Sequence, residues 1–343
     1  MKTFEWKSAP DVASAARSGS GTVADAMAAR DGKPRADTVV LKAGGIDLLD
    51  LMKEGLLEPQ RIVNLRGIPA LGGIVEQPDG GLRIGAMASL AQIASHAAVR
   101  ARYAALAQAA EGSASPQIRG VATIGGNLLQ RPRCWYFRSS HHPCARKGGT
   151  TCFAFSGDNR YHAVFGHEGC AIVHPSTAAT ALVAFDASVE ILSAARGTRA
   201  MPLESFLVGP GTDIHRENVL QAGEILTAVL LAPSRPAIRS AHLRQGELDS
   251  FDWPLCDVAV VLDRDEGGTC RRASVVLGAA APVPHRARAA QDALGGKRIS
   301  EEVARIAAAA ALAGAAPLSG NAYKLPIFET LVERAILSAA RSA

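Results

Sequence analysis

Four cysteines crowd one window of this chain. Cys134, Cys144, Cys152 and Cys170 are spaced C-x9-C-x7-C-x17-C. Thiolates are soft ligands, and a set of four suits an iron–sulfur cluster or zinc. The spacing matches neither the paired C-x2-C of zinc ribbons nor the cysteine runs of ferredoxins. Two disulfides are the other reading. A chain of 343 residues builds its own core and does not need such staples, so a metal centre is expected. Cys256 and Cys270 stand in apolar, strand-like contexts and read as buried structural thiols.

The residues around the four cysteines carry charge and rings. Arg131, Arg133, Arg138, Arg146 and Lys147 either offset a cluster's negative charge or form a solvated face. His141 and His142 are alternative ligands or surface residues. Trp135 and Tyr136 either shield the centre or pack at an interface.

Two glycine pairs suggest a second chemistry. Ala43-Gly44-Gly45-Ile46-Asp47 follows an apolar strand, Thr38 to Lys42, and opens a helical stretch ending at Lys53. Without a Cβ, backbone N–H groups can approach a phosphate at a helix N-terminus. Thr123-Ile124-Gly125-Gly126-Asn127 offers another such turn. Neither fits G-x-G-x-x-G or G-x-x-x-x-G-K-[ST], so no standard Rossmann or P-loop site is expected. Two glycine loops that meet in space would clamp a pyrophosphate between two subdomains, a frequent cofactor site.

The positioning elements follow from patterning. A strand at Phe4 to Lys7, the strand at Thr38 to Lys42 and one at Arg61 to Asn64 build a βαβ-type unit. Asp11 and Ser89 read as N-caps of helices, with further helices at Tyr103 to Ala110 and Thr177 to Ala184. The cysteine window is a loop-like insert. Ser188 to Leu192 reads as a strand, and a boundary is expected near Gly209 to Thr212. Beyond it, Glu224 to Leu231, Ser240 to Leu243, Asp257 to Asp263 and Arg272 to Gly278 read as one antiparallel sheet, closed by helices at Arg286 to Leu294, Ser300 to Ala316 and Asn321 to Ala340.

Bulk properties exclude some classes. The net charge is +5, with no basic stripe interleaved with aromatics, so nucleic acid is not a favoured partner. Met1 to Lys7 lacks the apolar run of a secretory signal, and Ile306 to Ala313 is too short to span a bilayer. Cysteine usage suggests a reducing site of assembly.

Taken together, several stretches resemble a known family. Ala43-Gly44-Gly45-Ile46-Asp47-Leu48, Ser115-Pro116-Gln117-Ile118-Arg119, Thr123-Ile124-Gly125-Gly126-Asn127 and His174-Pro175-Ser176 resemble the FAD-binding medium subunit of the xanthine dehydrogenase (molybdenum hydroxylase) family. Val276-Leu277-Gly278 with Ala281-Pro282-Val283-Pro284 resembles that subunit's C-terminal domain. The insert, Arg131-Pro132-Arg133-Cys134-Trp135-Tyr136-Phe137-Arg138 and onward, is similar to the flavin subunits of bacterial periplasmic aldehyde oxidoreductases, which carry a [4Fe–4S] cluster there.

The resemblance implies an α+β fold. An FAD-binding domain of the vanillyl-alcohol-oxidase (PCMH) type, with two subdomains, would occupy residues 1–215 with the iron–sulfur insert at about 130–171, and a smaller α+β domain residues 216–343. It implies FAD contacts along Lys42, Ala43, Gly44, Gly45, Ile46, Asp47 and Leu48, and at Thr123, Gly125, Gly126 and Asn127. Ser113 and Ala114 would lie near the flavin, with Ser176, Thr177, Leu226 and Arg244 completing the site. Cys134, Cys144, Cys152 and Cys170 would hold the [4Fe–4S] cluster. Ile46 stands where the family usually has Thr, and Thr177 where it commonly has Asp. No residue of this chain would touch the substrate. A large molybdopterin subunit would oxidise an aldehyde, a small subunit with two [2Fe–2S] clusters would relay electrons, and FAD would pass them to an external acceptor from an αβγ heterotrimer. Assembly would be cytoplasmic, with co-export on a partner's twin-arginine signal as the route to the periplasm. A flavin subunit like that of 4-hydroxybenzoyl-CoA reductase and a zinc-stapled scaffold without redox activity are the competing readings.

Overall fold

The computed structural model describes residues 2–19, 21–27 and 38–341. Three sheets organise the chain. The first is parallel, ordered β1-β3-β2, with β1 at Glu5–Ser8, β2 at Val39–Lys42 and β3 at Arg61–Asn64. The helix Ile46–Lys53 makes the β2-to-β3 crossover, as a parallel pair requires. It buries Leu48, Leu51 and Met52 against Val40 and Ile62. Each such side chain contributes about 1.5–3 kcal/mol.

The second sheet is antiparallel, ordered β4-β5-β8-β6-β7. Its strands are β4 (Ile74–Glu76), β5 (Leu82–Gly85), β6 (Ser188–Ser193), β7 (Gly197–Pro202) and β8 (Glu224–Leu231). Strand β8 pairs with β5 on one side and β6 on the other. Its assignment from sequence to the C-terminal sheet is therefore corrected. Seven of its eight residues are buried, so its apolar run carries no face alternation to say which sheet it joins. Helices Leu90–Ser95, Ala104–Glu111 and Thr177–Ala184 share this core. Asp11 and Ser89 cap their helices as expected, Ser89 through a full capping box with Gln92. All eight residues of Thr177–Ala184 are buried, because it is wedged between the helix Ala104–Glu111 and the third sheet.

That third sheet is antiparallel, ordered β12-β11-β10-β9: β9 (Ile238–Gln245), β10 (Cys256–Arg264), β11 (Cys270–Gly278) and β12 (His285–Arg286). Helices Arg288–Leu294, Glu301–Ala310 and Lys324–Arg341 pack on it. The helix expected to run to Ala316 ends at Ala310. The chain turns there, with Gly314 at φ +80°. Cys256 and Cys270 are fully buried in this core, as expected.

The cysteine insert packs against two bodies. Phe137 and Cys144 join the core of the first sheet, whereas Val164 and Phe165 join that of the third. It contains one short α-helix, Trp135–Arg138, and two 3-10 turns, Ala145–Lys147 and Phe153–Phe155. No helix among the described residues is long and apolar enough to cross a membrane.

Candidate functional site: a glycine-walled cleft beside a cysteine cavity

A cleft of about 460 Å³ opens where the first and second sheets meet. Lys42, Ala43, Gly44, Gly45, Ile46, Asp47 and Leu48 form one wall. Gly45 caps the helix Ile46–Lys53 at φ +89°, and no side chain caps it. The first N–H groups of that helix have no intrahelical acceptor and carry its positive end. A Cβ on Gly44 would lie 2.3 Å from the Val121 carbonyl oxygen, so only glycine lets these two backbones approach. Lys42 adds a cation whose pKa is lowered by burial and then by Arg66. No carboxylate among the described residues pairs with it, although its Nζ donates to the Ala43 carbonyl at 3.1 Å. An uncapped helix end, a bare glycine wall and a part-buried cation fit a diphosphate.

The second glycine turn works differently. Thr123, Gly125, Gly126 and Asn127 do line the cleft, but their amides are engaged. Ile124 and Gly125 donate to the Ala88 and Ala86 carbonyls at 2.9 Å each, Asn127 donates to the Thr123 carbonyl, and Gly126 donates to Thr123 Oγ1. The turn thus offers closeness more than hydrogen-bond donors.

Ser113, Ala114, Thr177, Leu226 and Arg244 also reach the cleft, which brings nearly all the expected cofactor residues together. Ser176 is the exception. It is buried behind the wall, caps the helix Thr177–Ala184 and donates to Asn127 Oδ1 at 2.5 Å. The Thr177 hydroxyl is shared with Ser113 Oγ at 2.7 Å. Arg244 bonds the Gly112, Ser250 and Asp252 carbonyls, which joins the turn at 112–114 to the loop between β9 and β10. Ala114 is left-handed at φ +48°, and Arg119 holds it there by donating to the Ser113 and Ala114 carbonyls. Such strain in a non-glycine residue marks a constrained site. Phe251 and Trp253, on the β9–β10 loop, also border the cleft. Sequence reading missed them, and their signal was two large rings in an otherwise polar loop.

Asp47 faces the insert. Its carboxylate accepts from the Arg131 backbone N–H at 2.8 Å and from Arg138 Nη2 at 2.6 Å, and it pairs with Arg133 at 2.9 Å. The basic group is therefore no solvated face: Arg131 and Arg146 are buried, and Lys147 donates to the Tyr136 and Ser139 carbonyls.

Cys134, Cys144, Cys152 and Cys170 line one small cavity, walled by Tyr136, Phe137, Phe153 and Arg146. All six cysteines are free thiols, so the two disulfides are not formed. Among the described residues, no three His, Cys, Asp or Glu side chains gather closely enough to hold one metal ion. Zinc would need its sulfurs within about 3.8 Å of each other, since Zn–S bonds are about 2.3 Å. Burial raises Cys134 to about 11 and pushes Cys144 upward. Cys170 is lowered by a hydrogen bond from Cys152 and by the Arg146 guanidinium. Arg146 Nε donates to Cys170 Sγ at 3.5 Å, and Arg146 Nη2 is buried with no partner. Four thiols around one cavity, with a spare buried donor at its wall, fit an anionic sulfur-ligated group. His142 instead packs on Tyr136 and Phe153 and bonds Ser139, while His141 is exposed. The unexpected neighbour is His162, with Nε2 at 3.2 Å from Cys134 Sγ.

Comparisons with known proteins agree with this geometry. Residues 19–233 match the FAD binding domain in molybdopterin dehydrogenase, and residues 241–339 match the CO dehydrogenase flavoprotein C-terminal domain. The chain is 36% identical over 289 residues to the aldehyde oxidoreductase FAD-binding subunit PaoB of Escherichia coli (strain K12), covering 82% of this chain and 86% of that protein. It is 28% identical to the carbon monoxide dehydrogenase medium chain of Hydrogenophaga pseudoflava, covering 87% and 88%. The solved carbon monoxide dehydrogenase from Hydrogenophaga pseudoflava that lacks the Mo-pyranopterin moiety superposes with a TM-score of 0.74 at 26% identity, covering 100% of this chain and 99% of that one. The chain belongs to the FAD-binding medium subunits of the xanthine dehydrogenase and carbon monoxide dehydrogenase family, the flavin-carrying components of molybdenum hydroxylases.

Proposed function

We propose that this chain is the electron-transfer subunit of a molybdenum-containing aldehyde oxidoreductase, carrying FAD in the glycine-walled cleft and a [4Fe–4S] cluster in the cysteine cavity. The observation that carries the reading is the uncapped helix start at Gly45, set against a glycine wall in a cleft of FAD-binding descent. Bound FAD supplies a carrier that takes up electrons singly and gives them up in pairs. The chain's residues position it. Lys42 and the amides after Gly45 hold the diphosphate, and Arg119 fixes the carbonyls of the 113–114 turn. The apolar Leu226 and the rings of the β9–β10 loop line the same cleft. Cys134, Cys144, Cys152 and Cys170 ligate the cluster, with Arg146 offsetting its charge.

The aldehyde assignment rests on the 36% identity to the Escherichia coli aldehyde oxidoreductase subunit. A large molybdopterin subunit, a small subunit with two [2Fe–2S] clusters and an external electron acceptor complete the pathway. Assembly takes place in the cytoplasm, and export follows on the small partner's signal. Anaerobic co-purification with flavin, iron, sulfide and zinc analysis tests the reading. The small subunit's two [2Fe–2S] clusters account for about four iron and four sulfide per FAD, so about eight of each supports it, about four of each with zinc alongside removes the [4Fe–4S] cluster, and material free of flavin refutes the whole. Cys134→Ser should lose iron while keeping FAD, because the two groups use separate walls. Wild-type iron in that variant would remove Cys134 from the ligand set.

A further inference from the structure

A row of three buried charges connects the cleft to the cysteine cavity. Arg131 and Glu217 line the flavin cleft, and Arg146 lines the cysteine cavity. Glu217 Oε2 lies 3.3 Å from Arg131 Nη1, and its Oε1 lies 2.5 Å from Arg146 Nη1. The three side chains are 1–3% exposed. The backbone before Glu217 is latched from both sides: Arg131 Nη1 donates to the His215 carbonyl at 3.0 Å, and Arg146 Nη1 to that of Arg216 at 3.2 Å.

Two cations share one carboxylate, so the row carries one uncompensated positive charge. Asp47 and Arg138, the next charges that bear on Arg131, act on it in opposite directions. Two nitrogens of the row, Arg131 Nε and Arg146 Nη2, are buried with no partner. An unmatched buried cation is costly unless an anion sits beside it. Arg146 meets that need on the cysteine side, where its Nε already donates to Cys170 Sγ.

We propose that Glu217 is a positioning residue shared by the two redox sites, holding Arg146 against the cysteine centre and Arg131 against the flavin cleft. One carboxylate then sets part of the electrostatic field at both. The inference rests on the four-iron reading of the cysteine cavity. A negative charge near a redox centre disfavours electron uptake, and in a water-excluded site that influence is weakly screened.

The test uses the intact complex and potentiometric titration, with the cluster followed by electron paramagnetic resonance and the flavin by absorbance. Glu217→Gln should raise both midpoint potentials together while iron and FAD contents stay at wild-type levels. Arg146→Gln leaves Glu217 paired with Arg131. It should lower the cluster potential and move the flavin's less. A Glu217→Gln complex whose potentials stay at wild-type values, or move at one centre alone, overturns the proposal. If that variant loses its cofactors, Arg146→Gln decides, and an unmoved cluster potential overturns it. A wild-type complex with only the small subunit's share of about four iron per FAD defeats the four-iron reading and this inference with it, whereas wild type with about eight iron per FAD and unmoved variants defeats the inference alone.

Discussion

Gly44 shows how one missing methyl group shapes the flavin wall. Its hypothetical Cβ meets the Val121 carbonyl, which is backbone and cannot rotate away. Gly44→Ala should cost about 1–3 kcal/mol of overpacking and lower the FAD-to-protein ratio after desalting. Gly120→Ala is the control: its Cβ would meet nothing within 4 Å and it lies outside the cleft lining, so flavin retention should stay near wild type. Both glycine pairs were legible in the sequence as close-approach turns, although the second lies within the short helix Ile124–Leu128 and not between a strand and a helix. Their division of labour was not. It depends on which amides find the Ala88 and Ala86 carbonyls, 36 and 39 residues earlier in the chain, just past β5.

Among elements, the insert is held by opposite charges. Asp47 and Asp50, on the helix that starts at the flavin wall, pair with Arg133 and Arg138 of the insert. Asp47→Ala would leave Arg138, 9% exposed, short of a partner. The loss should be about 3 kcal/mol by chemical denaturation, with faster proteolysis between residues 138 and 150. The resemblance placed Asp47 at the pyrophosphate, and local sequence gave no reason to look further. Its partner amide is 84 residues away, and such pairings lie beyond any local pattern. The four cysteines were legible as a group by type and proximity. His162 was not, since a lone histidine after Tyr161 carries no motif.

The whole molecule records its packing in a pH response. His174 is buried beside the third sheet, its backbone N–H bonded to the Ala281 carbonyl, and burial lowers its pKa to about 4 from 6.5. The unfolded chain therefore takes up a proton that the fold refuses. Its share of stability is full above about pH 6.5 and is lost as pH falls toward 4, by about 1.4 kcal/mol per pH unit. His162, which burial also lowers to about 4, and His285 add to the same trend, so thermal unfolding between pH 4.5 and 7 should show a steeper total, and His174→Asn, which keeps an acceptor for the Ser176 N–H, should reduce it by about 1.4 kcal/mol per pH unit. At this scale the two-part α+β architecture was readable from strand and helix patterning, and the membership of β8 was not. That strand has a consequence for how the polypeptide is made. The middle of the five-stranded sheet is the last of its strands to leave the ribosome, after the insert and the β6–β7 hairpin. Until residue 231 emerges, β5 and β6 expose open edges, which are templates for mispairing. A fragment ending at residue 215 should therefore aggregate faster than one ending at 235, and nascent chains stalled at those two lengths should differ in the same way in their demand for chaperones.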